Sequence, residues 1–60
     1  MINVQLSDDG TEITSYFSAA QDPIVYPHID LLELSDPRWI VFYESVDALS
    51  RKYLPAPIYL

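Results

Sequence analysis

Residues 35–53 read SDPRWIVFYESVDALSRKY and carry the clearest structural signal in the chain. Asp36 can accept hydrogen bonds from the free N–H groups of a first helical turn. Pro37 suits the first helical position, because its missing N–H is not needed there and its φ is already helical. The sequence therefore predicts a helix from about Pro37 to about Tyr53, with Arg51 near its end complementing the helix dipole.

Large apolar residues recur every three or four positions along this helix, which places them on one face. They are Trp39, Phe42, Tyr43, Val46, Leu49 and Tyr53. Trp39 is expected to belong to the core, with its rim still able to touch a partner. Ile40 and Val41 point away from this face, so they either pack under the loop that contains Tyr26 or form an exposed apolar patch.

The first eighteen residues predict an antiparallel β-hairpin. Residues 2–6 alternate apolar and polar side chains, and residues 11–17 are again of β-forming type. Gly10, the only glycine, lies where a hairpin turn needs a positive φ. Strict alternation predicts that Ile13 and Phe17 share one face of the second strand. The other face would then carry Glu12, Thr14 and Tyr16.

A third strand is predicted from His28 to Leu34, but its alternation breaks. Ile29 and Leu31 would lie on one face. The opposite face would carry Leu32 and Leu34. Either a bulge sits near Leu31 and Leu32, or both faces of the strand are covered. Since only one helix is predicted, cover for the second face would come from another chain.

These elements predict an α+β fold, in which a hairpin and a third strand form a small antiparallel sheet with one C-terminal helix packed across it. Residues 1–54 would form a single small β-β-β-α domain. Residues 55–60 would form an extended C-terminal tail, because Pro55 and Pro57 exclude helix and central strand. The apolar end of this tail either folds back on the sheet or docks into a partner.

Composition limits what can support so small a fold and what it can bind. With no cysteine and one histidine in 60 residues, disulfides and thiolate or multi-histidine metal sites are excluded. The pair Asp8-Asp9 lacks the further oxygen ligands that a Ca²⁺ loop requires. We therefore expect no metal and no cofactor, and we expect external support to come from a partner subunit.

The net charge of −6 lies entirely in residues 1–35, because the charges of residues 36–60 cancel. An acidic surface repels phosphate backbones, which argues against nucleic acid as a partner. The charge is explained by the need to keep a hydrophobic small protein soluble, and it also leaves a basic protein partner open. No apolar run reaches the length of about 20 residues that spans a bilayer. The N-terminal sequence has no signal-peptide character, so neither a membrane partner nor secretion by a signal peptide is expected.

Catalysis is not expected either. No serine lies in a recognisable nucleophile context, and His28 is the only candidate base. Asp30 and Glu33 could form a carboxylate pair, but solvated strand edges carry such residues routinely. The chain has little room for a substrate pocket and no glycine-rich loop, so no small-molecule substrate is expected.

Three short motifs together resemble a known group of proteins. Gln21-Asp22-Pro23 and Tyr26-Pro27 are followed by Ser35-Asp36-Pro37-Arg38-Trp39 and then by Phe42. This order is similar to that of short proteins encoded in bacteriophage and prophage tail-fibre regions, over about residues 10–45. The resemblance implies a phage structural or tail-assembly protein, located in the virion or the host cytoplasm. It carries over no catalytic residues.

The first functional hypothesis is a non-enzymatic protein–protein interaction module, a small phage structural or tail-assembly component that joins a homo- or hetero-oligomeric assembly. Its candidate partner-binding residues are Ile40, Val41, Pro55, Pro57, Ile58, Tyr59 and Leu60. The alternative is an acidic inhibitor, of the anti-defence type, that blocks a basic or nucleic-acid-binding site on a host protein. Its contacts would weaken as salt rises and would be made by Asp8, Asp9, Glu12, Asp30 and Glu33.

Overall fold

A three-stranded antiparallel sheet followed by two helices makes up the computed structural model, which describes residues 1–60. The strands are β1 (Ile2–Leu6), β2 (Ile13–Phe17) and β3 (Ile29–Leu32). The helices are α1 (Pro37–Ser45) and α2 (Ala48–Arg51). The strand order β2-β1-β3 places the first strand at the centre of the sheet. The predicted α+β fold is confirmed, with the correction that two helices follow the sheet.

The hairpin turn forms as predicted and is held by short polar side chains. Gly10 has a φ of 74°, the left-handed conformation that glycine adopts without steric cost. Asp9 Oδ1 accepts hydrogen bonds from Ser7 Oγ and Thr11 Oγ1 at 2.8 Å, and from the Thr11 N–H at 3.1 Å. These bonds lower the pKa of Asp9 to about 2, and the bond from Ser7 has the largest effect. The aspartate before Gly10 is therefore explained by the turn itself.

A β-bulge interrupts the second strand at Thr14. Gln5 pairs with Ser15 whereas the next residue, Leu6, pairs with Ile13, so Thr14 is the additional residue. The Thr14 hydroxyl donates a hydrogen bond to the Gln5 carbonyl at 3.1 Å. The alternation of side chains in β2 therefore reverses at this point.

The bulge makes the predicted faces of β2 wrong. Ile13 is buried, as expected for the core face, but Tyr16 joins it there and lies with its ring centroid 5.5 Å from that of Trp39. Phe17 pairs with Asn3 and lies on the opposite side, which we call the outer face of the sheet. One extra residue is enough for this change, because side chains on a strand alternate with a period of two.

The third strand is shorter than predicted and contains no bulge. Its register with β1 is regular, with Leu32 opposite Ile2 and Leu31 opposite Asn3. Leu32 is buried on the core face, whereas Leu31 lies on the outer face and is 51% exposed. The bulge is therefore absent, and the alternative of a strand covered on both faces is met only in part, because Leu31 stays exposed.

The chain itself supplies part of the cover for the outer face, contrary to the expectation that only another chain would. Strands β2 and β3 are both antiparallel to β1, so the connection of residues 18–28 has to cross the sheet. Two contacts place it on the outer face. The rings of Phe17 and Tyr26 are 4.9 Å apart, and Gln5 Nε2 donates to the Pro27 carbonyl at 3.1 Å.

Helix α1 begins as predicted. Asp36 has an extended backbone and accepts a hydrogen bond from the Arg38 N–H at 2.8 Å, and Pro37 occupies the first helical turn. The predicted extension to Tyr53 is wrong, because α1 ends at Ser45 and Val46 is extended with φ −87° and ψ 158°. Three features of the sequence favour this end.

The Ser45 hydroxyl donates to the Phe42 carbonyl at 2.7 Å, a local bond that competes with helix continuation. Val46 is β-branched, which lowers its helix propensity. Asp47 takes the extended N-cap position of α2 and is a preferred residue there. As a consequence the apolar face ends near Tyr43, and Tyr53 is 85% exposed.

The core is small and is organised around Trp39, so its predicted core position is confirmed. The buried residues are Ile2, Val4, Ile13, Leu32 and Trp39. The rings of Phe42 and Tyr43 pack beside the indole with centroid distances of 5.7 and 6.3 Å. Both helix residues therefore continue the core toward the surface.

Candidate interaction surfaces

The C-terminal tail folds back on its own domain. Trp39 Nε1 donates to the Pro55 carbonyl at 3.2 Å, and the Ile58 N–H donates to the Leu34 carbonyl at 3.0 Å. The Tyr59 hydroxyl lies 3.4 Å from Glu44 Oε2, to which it donates. The tail is therefore anchored at three points along its length.

The candidate partner-binding residues of the tail fall into two groups by their exposure. Pro55 and Pro57 are half-buried against the chain itself and have only part of their surface left for a partner. Ile58, Tyr59 and Leu60 are exposed, and Leu60 is fully so. Only the last three of these candidates present substantial apolar surface.

Ile40 and Val41 occupy different environments. Val41 is 67% exposed, whereas Ile40 is half-buried. Val41 lies on the side of an open groove of about 510 Å³, and neither Ile40 nor any residue of the tail contributes to that groove. The groove therefore contains Val41 but none of the other predicted candidates.

The groove runs between the start of β2 and one flank of α1. Residues 11–13 line it on the hairpin side, and residues of α1 including Arg38, Val41 and Phe42 line it on the other. Its existence depends on how the helix packs on the hairpin. The sequence pattern did not predict it, since it placed Ile13 on one face of the second strand and Phe42 on the apolar face of the helix without relating the two.

Arg38 joins the helix start to the hairpin turn across the end of this groove. Its Nε and Nη2 atoms donate to the two carboxylate oxygens of Asp36 at 3.1 and 2.9 Å. Nη1 donates to the Gly10 carbonyl at 2.9 Å. Each of the three guanidinium nitrogens thus donates one hydrogen bond, and the bonds to Asp36 hold the pKa of its carboxyl below the usual value.

The outer face presents two rows of side chains across the sheet. One row contains Phe17, Asn3 and Leu31, and the next contains Ser15, Gln5 and Ile29. Neither row includes a charged residue, although twelve of the 60 residues are charged. The outer-face patch is defined here as Phe17, Tyr26, Ile29 and Leu31. Its members were recognisable as apolar, but the bulge and the crossover that assemble them were not.

The acidic candidates are all exposed. They are Asp8, Asp9, Glu12, Asp30 and Glu33. None pairs with a lysine or arginine, since the Arg38 salt bridge is made with Asp36 and Asp8 Oδ1 lies 3.3 Å from the imidazole Nε2 of His28. The Asp9 carboxylate is occupied by the hairpin turn. The other four remain available to a basic partner.

His28, the candidate base, lies at the surface. The His28 side chain is 47% exposed and lies outside the groove, with Asp8 as its carboxylate neighbour. No three His, Cys, Asp or Glu side chains are grouped in a way that could hold a metal ion. Neither helix has the length and apolar character needed to cross a membrane.

Comparison with protein-family models, with curated proteins and with solved structures finds no match for this chain.

Proposed function

We propose that this chain is a non-enzymatic protein–protein interaction module, a small structural or assembly component that binds another protein chain through the outer-face patch. The observation that carries the proposal is that both outward-facing side chains of β3, Ile29 and Leu31, are apolar while the chain covers them only in part. Leu31 remains 51% exposed there, beside a row that contains no charge. An antiparallel sheet that faces water on one side normally alternates apolar with polar residues instead.

The total solvent-accessible area of the chain is that of an ordinary monomer and is not itself an argument for a partner. The chain exposes 4163 Å², close to the value of about 4,000 Å² expected for a folded monomer of this mass. The support comes from where the apolar surface lies. Val25 and Ile24, in the connection that crosses the outer face, are exposed as well and extend the apolar area beside Tyr26.

The assignment to a phage structural or tail-assembly component rests on the resemblance of the motifs at residues 21–42. The acidic inhibitor is a second candidate, favoured by the carboxylates of Asp8, Glu12, Asp30 and Glu33, which face solvent without a lysine or arginine partner. The two differ in the residues that the partner covers. An inhibitor would be released by salt, whereas binding through the uncharged patch would persist.

The proposal is tested by replacing Leu31 with serine and Leu49 with serine in parallel. Both leucines are exposed, but Leu49 lies on α2 and outside the patch. Native mass measurement of each protein, alone and in a lysate of the source cells, should show an assembly larger than the 6.9 kDa chain for the parent and for Leu49→Ser. Leu31→Ser should lose that assembly while its circular dichroism is unchanged.

A folded 6.9 kDa monomer with no bound chain in either sample would contradict the proposal. So would an assembly that survives in Leu31→Ser as well as it does in Leu49→Ser.

A further inference from the structure

We propose that the groove between α1 and the start of β2 binds a short apolar segment of another protein that carries a lysine or an arginine. The inference rests on the proposed function as a protein-binding module. It adds a second surface, separate from the outer-face patch, and it states the chemistry of the segment that this surface takes.

The apolar part of the groove comes from both elements that form it. Ile13 from β2 and Phe42 from α1 belong to the core or pack against it, and their outer edges also line the groove. Val41 adds a side chain that is 67% exposed and has no role in the core. An apolar side chain entering the groove would remove this surface from water, which is the main favourable contribution to such contacts.

Two ionised side chains line the groove, Arg38 and Glu12, and only Arg38 is paired with an opposite charge. Arg38 is its only cation, and Asp36 takes two of its hydrogen bonds while the Gly10 carbonyl takes a third. Glu12, on the opposite side, makes no side-chain hydrogen bond and no salt bridge. The unpaired charge in the groove is therefore negative, and a cation on the bound segment complements it.

The dimensions limit the occupant to a short segment. The flank of α1 from Pro37 to Ser45 extends about 12 Å at the usual helical rise. That length matches two turns of a helix or about four residues of an extended chain. The contact is smaller than a stable interface of standard size, so binding through this groove alone should be weak and rapidly reversible.

Two short peptides test the inference. They have the same leucine residues and the same length, and they differ only in carrying lysine or glutamate at the charged positions. Each is titrated into the full chain while backbone amide resonances are recorded. The lysine peptide should shift the resonances of residues 11–13 and 37–45, with a dissociation constant about ten-fold below that of the glutamate peptide. Raising the salt from about 0.05 to about 0.5 M should weaken it.

Glu12→Gln should weaken the lysine peptide about three-fold, the size expected of an exposed ion pair. Glu33→Gln removes the same charge from an exposed site outside the groove and should leave the affinity unchanged. Val41→Ser should weaken both peptides, because it removes apolar surface from the groove without altering its charge.

Equal affinity for the two peptides, or equal effects of Glu12→Gln and Glu33→Gln, would overturn the inference. Resonance shifts confined to the outer-face patch would contradict peptide binding in the groove but would not contradict the proposed function. Absence of binding by either peptide at millimolar concentration would overturn the groove as well, whereas the Leu31→Ser comparison decides the proposed function separately.

Discussion

The indole Nε1 of Trp39 donates a hydrogen bond to the backbone carbonyl of Pro55 at 3.2 Å. This bond joins the largest fully buried side chain to the first residue of the C-terminal tail. Leu54, one position earlier, packs against the same core, and the Ile58 N–H gives the tail a second anchor on Leu34. Trp39 therefore fills the core and also holds the tail in place.

Replacing Trp39 with phenylalanine should destabilise the fold by about 2 kcal/mol, because it leaves a cavity and removes the bond to Pro55. That is a large share of the roughly 5 kcal/mol available to a domain of this size. Urea unfolding measures the loss, and faster amide hydrogen exchange at Ile58 should report release of the tail. Tyr53→Phe is the control, since Tyr53 is 85% exposed. An unchanged urea midpoint for Trp39→Phe would refute this role.

Stability should depend on pH through Asp36. The hydrogen bonds from Arg38 hold the pKa of Asp36 below its usual value. A carboxyl whose folded pKa is depressed stabilises the fold above its unfolded pKa of about 3.9, and this contribution is lost as the pH falls through the folded pKa. Asp36→Asn keeps a residue that can cap the helix but removes the charge.

We therefore expect Asp36→Asn to be about 1 kcal/mol less stable than the parent at neutral pH. The difference should vanish in acid, where the parent carboxyl is also neutral. Urea midpoints measured across this pH range check the prediction, with Glu33→Gln as a control. A constant difference at every pH would show that the charge of Asp36 does not contribute.

Arg51 should stabilise the end of α1 although it lies in α2. Its guanidinium donates to the Tyr43 and Glu44 carbonyls at 3.1 and 2.7 Å and lies 5.8 Å from the centre of the Tyr43 ring. A cation that caps the last carbonyls of a helix is favourable. Arg51→Ala should cost about 1 kcal/mol in thermal or urea unfolding, whereas Lys52→Ala should cost little. Equal effects of the two substitutions would contradict the capping role.

The backbone conformation of His28 should decide which residues can replace it without loss of stability. Its φ of 62° is unusual for a residue other than glycine, and its carbonyl accepts a hydrogen bond from the Leu6 N–H at 2.9 Å. Asparagine adopts this conformation readily, and a β-branched residue does not. His28→Asn should leave the melting temperature unchanged or raise it, and His28→Val should lower the stability by about 1–2 kcal/mol. If both variants melt together, the conformation carries no strain.

The elements that could be predicted are those whose cause lies within a few residues. Asp36 and Pro37 mark the start of α1 through bonds and dihedral angles of the first turn. Gly10 marks the hairpin turn for the same reason. The end of α1 was not predicted although Ser45 and Asp47 are local signals, because Val46, Leu49 and Tyr53 continue the helical spacing of apolar residues past them.

The candidate surfaces were predicted only in part. Val41 and the end of the tail were named as candidate partner-binding residues, and both are exposed in the structure. The groove and the outer-face patch were not identified. The first requires the packing of α1 on β2, and the second depends on a bulge of one residue at Thr14 that reverses which side Phe17 occupies.

The sequence by itself determined the class of fold, the hairpin turn, the start of α1 and the tryptophan at the centre of the core. These follow from capping, from preferred dihedral angles and from the spacing of apolar residues, all of which act over short distances along the chain. Only the tertiary structure decided which surfaces remain for a partner. The bond of Arg38 to the Gly10 carbonyl spans 28 residues and that of Trp39 to Pro55 spans 16, so neither leaves a local pattern in the sequence.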